Sequence, residues 1–464
     1  MTTSDEFLEN HPFDEIRIGD SASMTRTLSR DDIALFAAMS GDVNPTHLGS
    51  LGFPTAHSMW GGALVSAVLG SKLPGPGTAY VSQSFRFHRQ IGAGDTLATR
   101  VTVAEKRPAT KTVVLECRCT DQNDLEVISG SAEVVAPIEK LRGKRAELPE
   151  VSLRRHEKYE ALIARSQGAA PVATAVAHPC DESSLGATID AAKAGIIAPI
   201  LVGPAVKIRA VADKLDIDLG GYEIVDTPHS HAAAEKAVEL VRLGKAELLM
   251  KGSLHTDEIM GAVVRKETGL RTPRRISHCF IMDVPTYPKP LMITDAAVNI
   301  YPTLEDKVDI VQNAVDLVRA LGLAQPRVAI LSAVETVNPK IQGTLDAAAL
   351  CKMADRGQIV GGLLDGPLAL DNAISKTAAR IKGIVSPVAG EADILMVPDL
   401  EAGNMLYKNL SFLAAADGAG IVLGARVPII LTSRADTGRT RMASCAVASL
   451  YARAQRSVAS LAAE

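Results

Sequence analysis

The chain has 464 residues, a formal net charge of -4, and 47% apolar, 22% charged and only 3% aromatic residues. That length suits roughly two to three domains, each with its own core, and the balance excludes a disordered or disulfide-built protein. The small negative charge without a Lys/Arg block argues against nucleic acid as a partner, and the lack of a run of about 18 apolar residues predicts no membrane span.

The acidic, polar start MTTSDEFLENHPFDE does not read as a secretory signal. Six Cys without a Cys-x-x-Cys pair predict free thiols in a reducing, cytoplasmic compartment. Residues 21–28 read as a short strand. Ser29 and Asp32 form a capping box, and the helix it starts over 31–39 puts Ile33, Phe36 and Ala37 on one face before stopping at Ser40-Gly41. In GDVNPTH, residues 41–47, Pro45 biases Asn44 away from the helical region, so an extended loop is expected. A carboxyl and an imidazole flanking an Asn-Pro turn, Asp42 and His47, can converge on one water as an acid/base pair. By spacing alone, a solvated turn beside a surface histidine is the plainer reading.

Residues 55–69 are almost uncharged and read as a helix buried on every side, with Gly61-Gly62 allowing a sheet to approach closely. Strand-like runs follow at 78–87, 96–106, 111–120 and 126–135, separated by GAGD, RPAT and DQND turns. Cys117 and Cys119 share a strand face, but nothing at zinc spacing accompanies them, so no metal site is predicted. A buried helix wrapped by an antiparallel sheet of about five strands is the hot-dog architecture, an α+β fold. Residues 137–160 carry both charges and few large apolar side chains, which predicts a linker after a first domain ending near 136.

From 161 onward, strands alternate with helices. Strands are expected at 172–177, 196–202, 222–226 and 248–250, with helices at 183–194, 204–215 and 230–243. A second round starts at 274–282 and continues through 291–294, 328–331, 361–364 and 394–397, and a last strand spans 427–433. This predicts an α/β domain over 161–464 with parallel, doubly wound sheets in two lobes, one of about 161–272 plus 420–464 and one of about 273–419. No P-loop or GxGxxG supports a nucleotide cofactor. After the strand at 394–397, a polar turn over 399–404 is expected before a helix from Met405. That spot suits an anion such as phosphate, although one more βα unit is the plainer reading.

The string VPDLEAGNMLYK, with SPVAGEADIL before it and LTSRAD (residues 431–436) after it, resembles the signature of the phosphate acetyl/butyryltransferase family. That resemblance runs from about Val172 to the end of the chain. GDVNPTH and the helix and strands after it resemble the MaoC-like (R)-specific enoyl-CoA hydratases. Together they imply a fusion that exchanges a short acyl group between CoA and inorganic phosphate, giving acyl phosphate, and that hydrates a 2-enoyl-CoA. For hydration the resemblance gives Asp42 and His47 the acid/base roles, Asn44 supporting hydrogen bonds, and Ser58 the position whose backbone N–H meets the thioester oxygen. For acyl transfer it puts Arg434 and Ser433 on the phosphoryl and carbonyl oxygens, with Asp436 as candidate base. His255, Thr256, Glu401, Asn404 and Lys408 would line the substrate cleft. The CoA thioester is substrate, so no cofactor is implied, and both families self-associate, which implies a homo-oligomer.

The sequence departs from these patterns in four places. The loop over 48–56 is short, and Ser58 replaces a Gly. Thr440 stands where the acetyltransferase branch carries an Asp. Gly261 replaces an Arg, with Arg265 and Arg271 as candidate substitutes. These departures leave a second reading open, in which one domain is a non-catalytic module that binds CoA or drives assembly.

Overall fold

The computed structural model describes residues 7–47, 55–148, 151, 157–432 and 436–463, and the chain divides into two compact units, Met1–Arg154 and Arg155–Glu464. The first unit opens with β1 (Phe7–Glu9), β2 (Ser21–Thr27), α1 (Arg30–Ser40) and α2 (Ser58–Ser71). It continues through β3 (Ala79–Phe87), β4 (Thr96–Arg107), β5 (Thr112–Thr120), β6 (Glu126–Val135) and β7 (Arg142–Lys144). Five strands form an antiparallel sheet in the order β2-β4-β5-β6-β3. β7, inside the charged segment after residue 137, pairs with β1.

Alternation along the strands decides which face is covered. On β5, Val113, Leu115, Cys117 and Cys119 are buried while Glu116 and Arg118 face out, the period of two that a half-buried strand requires. Val65, Val68 and Leu69 of α2 pack against this face, each fully buried side chain contributing roughly 1.5–3 kcal/mol. Gly61 permits the contact, since a Cβ there would stand 2.4 Å from Ile128 Cδ1.

Two expectations for α2 are corrected. It begins at Ser58 rather than Thr55, because Thr55 bridges to Gly92 and the Ala56 N–H donates to the Ile91 carbonyl. Nor is it buried all round. Met59, Ala63, Ser66 and Gly70 form an exposed stripe at the helical period.

The second unit starts with α3 (Glu157–Ser166), then alternates β8 (Val172–Ala177), α4 (Glu182–Lys193), β9 (Ile197–Gly203), α5 (Ala205–Lys214), β10 (Glu223–Asp226), α6 (Ser230–Arg242), β11 (Leu248–Lys251) and α7 (Thr256–Val263). Next come β12 (Ser277–Asp283), β13 (Leu291–Thr294), α8 (Leu304–Ala320), β14 (Arg327–Leu331), α9 (Gln342–Asp355), β15 (Leu363–Leu368), α10 (Leu370–Ile374) and α11 (Lys376–Ile381). The chain closes with β16 (Ile394–Met396), α12 (Leu400–Phe412), β17 (Asp417–Leu423), β18 (Ile429–Ile430) and α13 (Gly438–Ala463).

Two parallel blocks, β10-β9-β8-β11-β18 and β13-β16-β14-β15, are joined by β17 and β12 into one eleven-stranded sheet. The joints β18-β17, β17-β12 and β12-β13 are antiparallel. Central strands such as β11 and β13 are buried at every residue, as a sheet covered on both faces demands. Strand β17 was not anticipated from the sequence. Its start, Asp417-Gly418-Ala419-Gly420, has little strand propensity, and tertiary pairing with β12 along its full length supplies the order.

The segment before Met405 is a third correction. Residues 400–404 are the first turn of α12, not a loop, and the Asp399 side chain accepts from the Ala402 N–H at 2.8 Å. That carboxylate occupies the capping position an external anion would need. Gly403 lies inside the helix because a Cβ there would come within 2.9 Å of the Asp295 carbonyl and of Ala296 Cβ. Among the described residues, no helix is long and apolar enough to cross a membrane.

Candidate functional site

In the first unit, α1 ends at Gly41 in the left-handed region (φ 74°), which turns the chain out of the helix. Asp42 Oδ1 then accepts from the Asn44 N–H at 3.0 Å, and Asn44 Oδ1 accepts from the Thr46 N–H and hydroxyl at 3.2 and 3.0 Å. These consecutive side-chain-to-backbone turns hold the loop rigid without secondary structure. The Asn44 carboxamide oxygen is therefore spent on the turn itself.

His47 Nδ1 lies 2.8 Å from the Thr55 carbonyl oxygen. A carbonyl only accepts, so Nδ1 carries the proton and a neutral ring presents its lone pair at Nε2. That Nε2 faces Asp42 Oδ2 at 3.7 Å. His57, which sequence reasoning did not single out, completes the group. Its Nε2 is 3.6 Å from the same carboxylate oxygen, and its ring stacks on His47 at 3.8 Å. His57 is 5% exposed, and neither ring nitrogen has a hydrogen-bond partner. All three groups thus meet at one point, at distances too long for direct hydrogen bonds. Ser58 follows as the first, exposed residue of α2, whose N-cap makes no side-chain capping bond, so early helix N–H groups remain available.

In the second unit, a cleft of about 610 Å³ gathers residues from five separate segments. Lys251 ends β11, and His255 and Thr256 start α7. His278 and Phe280 come from β12, and Thr432 and Asp436 come from the segment between β18 and α13. Helix α12 contributes Leu400, Asn404, Tyr407 and Lys408, positions that share one helical face. Asn404 is tethered by its Nδ2 to the Ala296 carbonyl at 3.3 Å, and Tyr407 stacks on Phe280 at 3.7 Å and 5°. Burial pushes the Tyr407 hydroxyl pKa up. The Lys251 ammonium, almost fully buried, reaches the carbonyls of Gly252 and Thr432 at 3.4 and 3.5 Å.

Of the residues read from the sequence, His255, Thr256, Asn404, Lys408 and Asp436 line this cleft, while Glu401 is exposed in the first turn of α12 and does not. Ser433 and Arg434 lie outside the described residues, as do residues 48–54 of the short loop over 48–56. Thr440 is buried, its hydroxyl 3.1 Å from that of Thr437. Neither substitute for the missing Arg lines the cleft. Arg265 pairs with Glu235 at 2.7 Å, and Arg271 lines a separate depression with Arg274 and Arg275. Lys251, His278 and Phe280 were missed, because each sits in an apolar strand or at its end and carries no motif of its own, and Thr432 was missed although it lies inside LTSRAD.

Residues 229–449 match the family described as Phosphate acetyl/butaryl transferase, and residues 17–123 match the MaoC like domain. A phosphate acetyltransferase of Rhizobium meliloti is 68% identical over 299 residues, covering 64% of this chain and 95% of that protein. A phosphate butyryltransferase of Clostridium acetobutylicum is 47% identical over 281 residues, covering 61% of this chain and 93% of that one. The crystal structure of a branched-chain phosphotransacylase from Enterococcus faecalis V583 shares 30% identity at a TM-score of 0.54, over 61% of this chain and 99% of that one. The second unit thus carries the fold of these enzymes over nearly their whole length, and the chain belongs to the phosphate acetyl/butaryl transferase family, with a MaoC-like domain fused ahead of it.

Proposed function

We propose that the chain is a bifunctional enzyme that exchanges a short acyl group between CoA and phosphate in its second unit and hydrates a 2-enoyl-CoA in its first. The observation that carries the transferase reading is the cleft beside Thr432, where His255, Thr256, Asn404, Lys408 and Asp436 meet from distant parts of the chain. Acyl exchange needs a cation on the phosphoryl oxygens, donors for the developing oxyanion, and alignment of the two substrates. Arg434 and Ser433 take the first two tasks. Asp436, at the cleft wall, receives the proton of the CoA thiol. No cofactor enters this chemistry.

The hydratase reading rests on Asp42 and His47, whose carboxylate oxygen and Nε2 lone pair lie 3.7 Å apart and can both reach one water at their side. One group takes a proton from that water as it adds to the β-carbon, and the other delivers a proton to the α-carbon. The free N–H groups at the start of α2 receive the thioester oxygen at Ser58. The chain also self-associates. Support comes from β3, an edge strand whose Tyr80, Val81 and Phe87 are exposed, the kind of row that pairs with another chain unless covered. It acts in the cytoplasm on CoA esters and not on nucleic acid.

The test is acyl phosphate formation from short acyl-CoA esters and phosphate, with crotonyl-CoA hydration followed in the same preparation. Arg434→Ala loses the first activity and keeps the second. Unchanged acyl transfer in that variant removes Arg434 from the site.

A further inference from the structure

Two polar atoms in the C-terminal cleft are buried without compensation from the fold. His278, at 1% exposure in the interior of β12, has an Nδ1 with no hydrogen-bond partner. Thr432, at 5% exposure, has an unpartnered Oγ1. Both residues line the cleft. Buried polar groups in native proteins are almost always paired, because giving up water for nothing is costly. Two orphans in one cleft therefore point to a polar ligand that completes them.

A glycine makes the space for the histidine. A Cβ at Gly420 of β17 would stand 3.0 Å from His278 Nε2 and 2.7 Å from the Leu431 carbonyl oxygen. Without a side chain there, the imidazole lies over β17, on the side where the chain leaves β18 at Leu431. The ring is further held by Phe280, 4.2 Å away, which itself lies on Tyr407. Burial pushes the His278 pKa down to about 3, so at neutral pH the ring is uncharged, with one N–H and one lone pair.

We propose that His278, together with Thr432, contacts the substrate in the acyl-transfer site, donating a hydrogen bond to the acyl carbonyl oxygen as it takes on negative charge. This deepens the transferase reading and rests on it. An oxygen of hydrogen phosphate attacks the thioester carbon, a C–O bond forms, and the carbonyl pair moves onto oxygen. As that pair returns, the C–S bond breaks and its electrons leave on the CoA sulfur, which takes up the proton of the phosphate, passed on by Asp436. The imidazole stays neutral throughout. Its N–H and the Thr432 hydroxyl are already fixed by the walls, so they stabilise the oxyanion without reorganising.

The test uses the full-length protein with His278→Phe, which keeps a ring and removes both nitrogens, and His278→Asn, which keeps a donor. His278→Phe is expected to lower kcat for acyl transfer by about 10²–10³-fold with KM changed by less than about threefold. Its thermal midpoint does not fall, because an unpaired polar group is replaced by hydrocarbon. His278→Asn recovers at least roughly tenfold of the lost rate. Wild-type kcat in a folded His278→Phe, or activity falling only in step with the midpoint, overturns the proposal. Should His278→Phe not fold, nitrogen-15 NMR of the wild-type imidazoles with acetyl phosphate decides. A shifted His278 ring nitrogen supports the contact, and no shift overturns it. A wild-type protein without acyl transfer rejects the transferase reading itself, a result distinct from an active enzyme indifferent to position 278.

Discussion

In the first unit the three candidate groups lie between Asp42 and His57: two side-chain turns with one left-handed glycine place Asp42 and His47, and the Thr55–Gly92 bridge returns the chain with His57. In the second unit the cleft draws on β11, β12, α7, α12 and the segment after β18, stretches that meet only once an eleven-stranded sheet has closed. The first site depends on local backbone chemistry, the second on the packing of whole elements. Damage should follow the same division. A side chain change silences the local site outright, whereas the cleft responds to any substitution that displaces one of its walls.

The largest effect is expected from Asp42→Asn, which should lower crotonyl-CoA hydration by about 10²–10⁴-fold and leave acyl transfer untouched. A fall in both activities, measured in one preparation, would break the comparison. Gly403→Ala is next. Its Cβ meets the Asp295 carbonyl and Ala296 at 2.9 Å, so α12 must move, carrying Asn404 and Lys408 with it. Because a displacement of about 1 Å can cost about 10²-fold, acyl transfer should drop roughly tenfold to a hundredfold with hydration unchanged. Hydration falling alongside would show that the two units are not separable.

A smaller effect is set by pH. The His278 imidazole stays neutral in the folded state down to about pH 3, while in the unfolded chain it protonates below roughly pH 6.5. In that window the unfolded state binds more protons, so stability falls as pH falls, by up to ~1.4 kcal/mol per pH unit. Urea unfolding from pH 6.5 downward should show this slope, and His278→Phe should flatten it by the same amount. The smallest effect is expected from Val81→Lys on the exposed edge β3. A charge on an open edge opposes strand pairing, and self-association measured by sedimentation should weaken roughly tenfold, about 1.4 kcal/mol. Unchanged assembly would move the interface elsewhere.

How legible each site was follows from the same contrast. The capping box of Ser29 and Asp32, the stop at Gly41 and the Asp42-His47 pair could be read because each depends on residues a few positions apart. His57 was passed over because its meeting with His47 depends on a return of the chain that pairs Thr55 with Gly92. In the second unit, Asn404, Lys408 and Asp436 were readable through the motifs that hold them, although Asn404 was expected in a turn. His278 was not, and Thr432, inside LTSRAD, was read only as the end of a strand. Nothing in SHCFIMD distinguishes a histidine facing a cleft from one buried in a core, and the glycine that makes its space belongs to β17, more than a hundred residues later.

By itself, then, the sequence determined two units of different architecture, most of the strands and many of the helices in their order, and most of the polar residues on local turns. Hydrophobic period and capping chemistry act over one or two turns of chain, so that information is complete within short windows. Only the tertiary structure decided the joining of two parallel blocks by β12 and β17, the exposed stripe of α2 and the orphaned polar atoms of the cleft. Those features depend on which distant backbone fills the space beside a residue. That choice is made by close packing between elements, where a single missing Cβ at Gly403 or Gly420 settles what can stand next to it.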